Sequence, residues 1–118
     1  MKLDFDILPS LLQSIVSRDP LLLTGFDEIA LNRQRELLLT SGFAYGNSAA
    51  HKPPKGQPIS WTYSHLGLND PGERLYGFSK DTALWQRAKE VYTFDDCSWS
   101  LNDLLAYLQS QSEKTPNA

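Results

Sequence analysis

The feature that most constrains the fold of this chain is a change of apolar period at Gly42. Before it, Ala30, Leu31, Gln34, Leu37 and Leu38 gather on one side of a helix turning at about 100° per residue. After it, Phe43-Ala44-Tyr45 reads as a strand, and Ile59, Trp61 and Tyr63 alternate with Ser60, Thr62 and Ser64 as a half-buried strand should. Thr24 or Asp27 starts the helix, which runs to about Ser41 with Gly42 as its stop. The two strands predict a hairpin. Pro53-Pro54 and Gly56 are expected to keep the segment from Gly46 to Pro58 extended and outside regular pairing.

The remaining segments predict helices around that hairpin. Asp4 or Asp6 can cap a first helix whose stripe is Leu8, Leu11, Leu12, Ile15 and Val16; Pro9 is tolerated in its first turn, and Asp19-Pro20 ends it. Leu21-Leu22-Leu23 is a short apolar connection or an edge strand. Past Leu66-Gly67-Leu68, Asn69 or Asp70 caps a helix with Pro71 at its start, and Ser79 opens another with Ala83, Leu84, Ala88 and Val91 inward. A last helix from Ser98 or Ser100 carries the stripe Leu101, Leu104, Leu105 and Leu108. A chain of 118 residues has room for one core. The expected organisation is a core over 1–92, a C-terminal helical extension over 93–111 and a disordered tail over 112–118. The fold class is α+β, with helices packed on a small antiparallel hairpin.

Composition and charge narrow the function classes. At 41% hydrophobic and 21% charged residues the chain has the makeup of a folded domain, and no apolar run approaches the ~20 residues of a membrane span. The opening Met-Lys-Leu-Asp-Phe-Asp lacks the apolar stretch of a signal peptide, so a cytoplasmic protein is expected. One cysteine, Cys97, excludes an intrachain disulfide. The net charge is −3, unevenly spread. From Leu37 to Asn69 the formal charges are Lys52 and Lys55, whereas Asp95, Asp96, Asp103 and Glu113 follow Val91 against Lys114 alone. The middle is weakly basic, short of a strong nucleic-acid patch.

The order helix, helix, strand, loop, strand, helix is the skeleton of a winged helix, and the wording of the chain adds to it. The opening Met1-Lys2-Leu3-Asp4, the "LLLTSGFAYG" exit at Leu37 to Gly46, the strand near Ile59-Ser60-Trp61 and the later "LNDPGERLYGFSKDTALWQRAKE" together resemble DUF2513, a bacterial and phage family of unknown function. The resemblance covers about residues 1 to 90. It departs at Asn69, where the family's motif has Thr, and in the short spacer Asp19 to Phe26, which leaves no room for the extra helix of a complete helix-turn-helix. It implies a prophage-type small protein with a winged-helix-like core, and no activity.

No catalytic, metal or cofactor site is expected. His51 and His65 share no local motif with Cys97, Asp95-Asp96-Cys97 lacks metal-ligand spacing, and Gly67 and Gly72 do not form a phosphate-binding loop. Two kinds of binding remain. Helical geometry turns Ile29, Asn32, Glu36 and Leu39 away from the core, with Arg33 and Arg35 on flanks about 160° apart. Asn32, Arg33 and Arg35 with loop residues Lys52 and Lys55 form the candidate DNA surface, on which Asn32 could read an adenine edge and Glu36 would repel phosphate. Ile29, Glu36 and Leu39 with the aromatic residues Trp85, Trp99 and Tyr107 form the candidate protein-binding surface. The favoured expectation is a non-enzymatic phage or prophage protein that binds and modulates a host or defence protein. The alternative is a winged-helix DNA-binding regulator. A homodimer through the C-terminal helix is a further expectation, since its leucine stripe is too apolar to remain in water.

Overall fold

The computed structural model describes residues 3–51, 55–56 and 60–114. Its elements are α1 (Ile7–Ser17), a 3-10 turn (Pro20–Leu23), α2 (Glu28–Thr40), β1 (Ala44–His51), β2 (Ser60–Leu68), α3 (Asp70–Ser79), α4 (Thr82–Phe94) and α5 (Leu101–Lys114). The architecture is α+β, with five α-helices and a two-stranded antiparallel sheet among the described residues.

Short polar side chains start these helices. The Asp4 carboxylate accepts the backbone N–H groups of Asp6 and Ile7 ahead of α1, and Asp27 and Asp81 accept those of Ala30 and Leu84 at the starts of α2 and α4. Ser100 and Asp103 bond reciprocally at the start of α5, the hydroxyl accepting from the Asp103 N–H and the carboxylate from the Ser100 N–H. Between α1 and α2 the apolar Leu21-Leu22-Leu23 forms a single 3-10 turn, capped by Asp19, and no further α-helix. Helix α2 stops as expected. Gly42 takes φ +79°, its N–H donates to the Leu39 carbonyl, and the Phe43 N–H reaches back to that of Leu38 at 2.9 Å. The turn leaves Phe43 and Leu38 both fully buried.

The hairpin is longer than the alternation implies. β1 continues through Gly46 to His51 in regular pairing with β2, where the sequence predicts unpaired loop; Pro53 and Pro54 lie outside the described residues. From Tyr45 onward every residue of β1 is exposed, and the long axis of the molecule reaches 58 Å against 31 and 25 Å for the other two. The radius of gyration is 15.3 Å, against about 13.5 Å for a compact chain of this length. The register slips by one residue between the pairs Tyr45–Gly67 and Asn47–Ser64. The extra residue lies on β2, where His65 takes φ +55°. Leu66 and Leu68 thereby turn onto the core, while His65, which simple alternation places inward with Tyr63, is exposed. The inward position expected for Trp61 concerns a side chain outside those described.

One core joins all five helices. Leu8, Leu11 and Leu12 of α1, Leu31 and Leu38 of α2, Phe43, Leu75 of α3, and Leu101, Leu104 and Leu108 of α5 are fully buried. Val16, counted in the first stripe, is instead half exposed. The inner face of α4 is Trp85, Ala88 and Tyr92, in place of the expected Ala83, Leu84 and Val91. Leu84 and Val91 lie at its edges, and Ala83 is exposed. Helix α4 runs to Phe94, across the boundary expected at 92, and the buried leucines of α5 join the same core as the preceding helices. Helix α5 also continues to Lys114, into the segment expected to be disordered; residues 115–118 lie outside those described.

Helix α3 approaches the turn before β1 closely. The Asn69 N–H donates to the Phe43 carbonyl at 3.0 Å and its amide nitrogen to the Gly42 carbonyl at 3.0 Å. A Cβ on Gly72 would overlap that Phe43 oxygen. Gly72→Ala is expected to cost about 2–3 kcal/mol by overpacking against fixed backbone. Gly77→Ala, where a Cβ meets nothing within 4 Å, should gain about 0.5–1 kcal/mol of helix propensity. Urea unfolding of the two variants checks the contrast, and equal midpoints would refute the close approach.

Candidate binding surface

Helix α2 carries most of the residues that the sequence offers for binding. Only part of their expected face is open. Ile29 is 61% exposed and Arg33 is exposed, but Asn32, Arg35, Glu36 and Leu39 are half-buried. These four recur at helical spacing and form a second stripe, and the Tyr63 side chain of the hairpin lies against it. Leu39 packs on the core, which corrects its placement on a partner surface. The Arg35 guanidinium donates to Asn32 Oδ1 at 2.6 Å and to Glu28 Oε1 at 3.1 Å, and lies 5.8 Å from the Tyr63 ring centre. The Tyr63 hydroxyl donates toward Glu36 Oε2 at 3.3 Å and the Asn32 carbonyl at 3.4 Å. Burial raises the Tyr63 pKa above its ordinary value; the Glu36 carboxylate acts in the same direction and Arg35 against it. The phenol thus stays protonated and able to donate.

This network corrects the candidate DNA surface. The Asn32 amide oxygen accepts from the Arg35 guanidinium beside the Tyr63 ring, so both side chains are engaged within the fold. Arg33 and Lys55 are exposed, and Lys52 lies outside the described residues.

The aromatic candidates are corrected more strongly. Trp85 is 7% exposed and its indole N–H donates to the Phe5 carbonyl at 2.8 Å. Phe5 packs at a tilt against both Trp85 and Tyr92, Tyr92 and Trp99 meet in a T-shaped pair, and the Trp99 ring centre lies 5.1 Å from that of Tyr107. The chain of rings ties the N-terminal segment to α4 and α5. Trp99 and Tyr107 are half-buried against the core, with the Trp99 N–H donating to Asp95 at 2.8 Å. Burial raises the Tyr92 pKa, Cys97 adds to the rise, and the Leu3 N–H donated to its oxygen opposes it. The leucine stripe of α5 is likewise covered by its own chain, which removes the reason for a dimer through that helix.

A cleft of about 260 Å³ lies where the end of α1, the 3-10 turn, α2 and the β2 bulge meet. Leu11, Ile15, Leu23 and Leu66 supply its apolar lining, and Arg18, Arg35 and His65 its basic groups. Neither Arg18 nor His65 was singled out from sequence as a binding residue. Arg18 takes φ +59° at the end of α1 and His65 takes φ +55° at the bulge. Left-handed backbone is uncommon for residues with a Cβ, and neither position carries the glycine that would have signalled it.

His51 Nε2 lies 2.7 Å from the Thr62 hydroxyl, Cys97 packs against the core, and no hydrogen bond links either histidine to Cys97 among the described residues. No group of three His, Cys, Asp or Glu residues among those described could hold a metal ion. No described helix is long and apolar enough to cross a membrane. Comparisons of the chain with family models, curated proteins and solved structures find no match.

Proposed function

We propose that the chain is a non-catalytic binding domain of phage or prophage type, winged-helix-like and related to the DUF2513 family it resembles, that engages and modulates a host or defence protein. The observation that carries the reading is the burial of the α2 side chains best suited to bases. Asn32 and Arg35 are bonded to each other under Tyr63, while large apolar side chains elsewhere stay in water: Leu21 at 77%, Ile29 at 61% and Phe94 at 92% exposure. Scattered exposed apolar residues are ordinary. Here they stand on a domain that has already covered its own aromatic and leucine stripes, which favours a partner surface over an unfinished core.

The test is stoichiometric co-purification of the tagged full chain from its own host. A defined polypeptide is expected to co-elute, and Ile29→Asp should reduce its recovery severalfold while changing stability by no more than about 0.5 kcal/mol. Undiminished recovery would remove Ile29 from the interface.

A second reading, DNA binding, is favoured by the hairpin, which carries no carboxylate between Ala44 and Leu68. Used as a wing, with Arg33 and Lys55 on phosphates, it would give a log–log salt slope of no more than about −2. Gel shifts of duplexes from the protein's own promoter are expected to show weak binding lost at about 0.15 M salt. Sequence-selective retention that survives this salt and is lost in Arg33→Glu would promote the regulator.

A further inference from the structure

We propose that the cleft between α1, the 3-10 turn and the β2 bulge seats an internal partner segment that alternates acidic and apolar residues. Its carboxylates sit on Arg18 and His65, and its apolar side chains on Leu23 and Leu66. The seat rests on the protein-binding role proposed above and gives that role a chemistry.

Size is the first argument. A volume of about 260 Å³ falls just below the 300–1,000 Å³ usual for small-molecule cavities. It accommodates a pair of peptide side chains better than a whole cofactor. Charge is the second. No Asp or Glu lines the cleft, although the protein carries a net charge of −3. Arg35 shares its charge with Glu28, whereas Arg18 and His65 make no ion pair or side-chain hydrogen bond with another described residue. The Arg18 guanidinium is thus an unpaired cation in the lining of a cleft without carboxylates, and the His65 imidazole can donate a hydrogen bond there, which selects an anionic visitor.

The third argument is the apolar lining. Leu11, Ile15, Leu23 and Leu66 line the cleft together with its basic groups. A bare inorganic anion would leave these surfaces wet. A segment with leucine-like residues between its carboxylates would cover them. The backbone agrees: both basic residues stand at left-handed positions where Gly or Asn is the less strained choice.

Two peptides test the seat on the full-length protein, acetyl-Leu-Glu-Leu-Glu-Leu-amide and its Gln counterpart, titrated while backbone amide resonances are followed by NMR. The Glu peptide is expected to shift the Leu23, Ser64 and His65 amides, and the Gln peptide to bind about threefold more weakly through loss of the exposed charge pair with Arg18. Arg18→Asn and His65→Asn place a residue tolerant of the left-handed backbone at each site. Each should weaken the Glu peptide toward the level of the Gln peptide with the thermal transition retained. Equal affinity for the two peptides, shifts confined to another surface, or unchanged binding by Arg18→Asn overturns the proposal. Sodium acetate at equal carboxylate concentration separates a general anion site from a peptide seat, and equivalent shifts with acetate alone also overturn it. Failure of the Glu peptide to bind counts against the seat even where Ile29→Asp still depletes a host partner, so the two failures are told apart.

Discussion

A chain ending at Phe94 is expected to lose its cooperative thermal transition at every protein concentration. The truncation removes Leu101, Leu104, Leu105 and Leu108, all buried within the same chain, and uncovers α3 and α4, against which α5 packs. It also removes Trp99 and Tyr107 from the aromatic chain that begins at Phe5. A domain of this size has one core and a stability of about 5–15 kcal/mol, so exposing the counterpart of a whole helix leaves little to hold the rest. Single substitutions give the same answer in smaller steps. Leu104→Ala and Leu108→Ala, both at fully buried positions, should each cost about 2–5 kcal/mol. Dependence on concentration is the discriminating measurement. Were the stripe an interface between copies, truncation would turn a dimer into a folded monomer, because association alone would be lost. Circular dichroism melts and sedimentation of the full and shortened chains decide the case. Unchanged mass with unchanged stability would show that α5 contributes nothing to the core.

The elements legible in the sequence were those governed by local chemistry. The start of α2, expected at Thr24 or Asp27 and found at Asp27, the Gly42 stop, the start of α5, expected at Ser98 or Ser100 and found at Ser100, and the leucine stripe of α5 each depend on residues within a few positions of one another. So does the reduction of the first interhelical spacer to a single turn, since Asp19-Pro20 ends one helix and Asp27 begins the next. What escaped depends on pairs far apart. Trp85 looks like a surface aromatic until Phe5, eighty positions earlier, supplies the carbonyl that satisfies its indole. His65 reads as an inward strand residue because a bulge has no residue signature here, and the added position on β2 reverses the alternation beyond it. The exposed side of α2 was drawn correctly for an isolated helix. The hairpin then folded over half of it through Tyr63, so Asn32, Arg35 and Glu36 became a structural network. The cleft was invisible for the same reason: Arg18, Leu23, Arg35 and Leu66 converge only once helix, turn and bulge are assembled.

Trp85→Ala is the point substitution with the largest expected effect, a loss of about 3–5 kcal/mol, or roughly 10–20 °C in Tm for a chain of this length. Two causes combine, and a second variant separates them. The ring fills the space between Phe5 and the inner face of α4, with its centre 5.2 Å from that of Phe5. Its N–H also satisfies a buried backbone carbonyl at 2.8 Å. Trp85→Phe keeps most of the packing but leaves the Phe5 oxygen unpaired, which should cost about 1–3 kcal/mol. Trp99→Phe makes the same chemical change where the acceptor, Asp95, is exposed to water. Water then replaces the indole, and about 0.5–1 kcal/mol should be lost. The ordering Ala, then Phe at 85, then Phe at 99 follows from burial alone, and denaturant midpoints test it. The measurement also bears on function. A partner contact at Trp85 would reduce co-purification of the partner while leaving the Tm unchanged. A core residue does the reverse in a mild variant: Trp85→Phe should lower the Tm and, below that transition, retain the partner in full, because the surface that binds it is still folded.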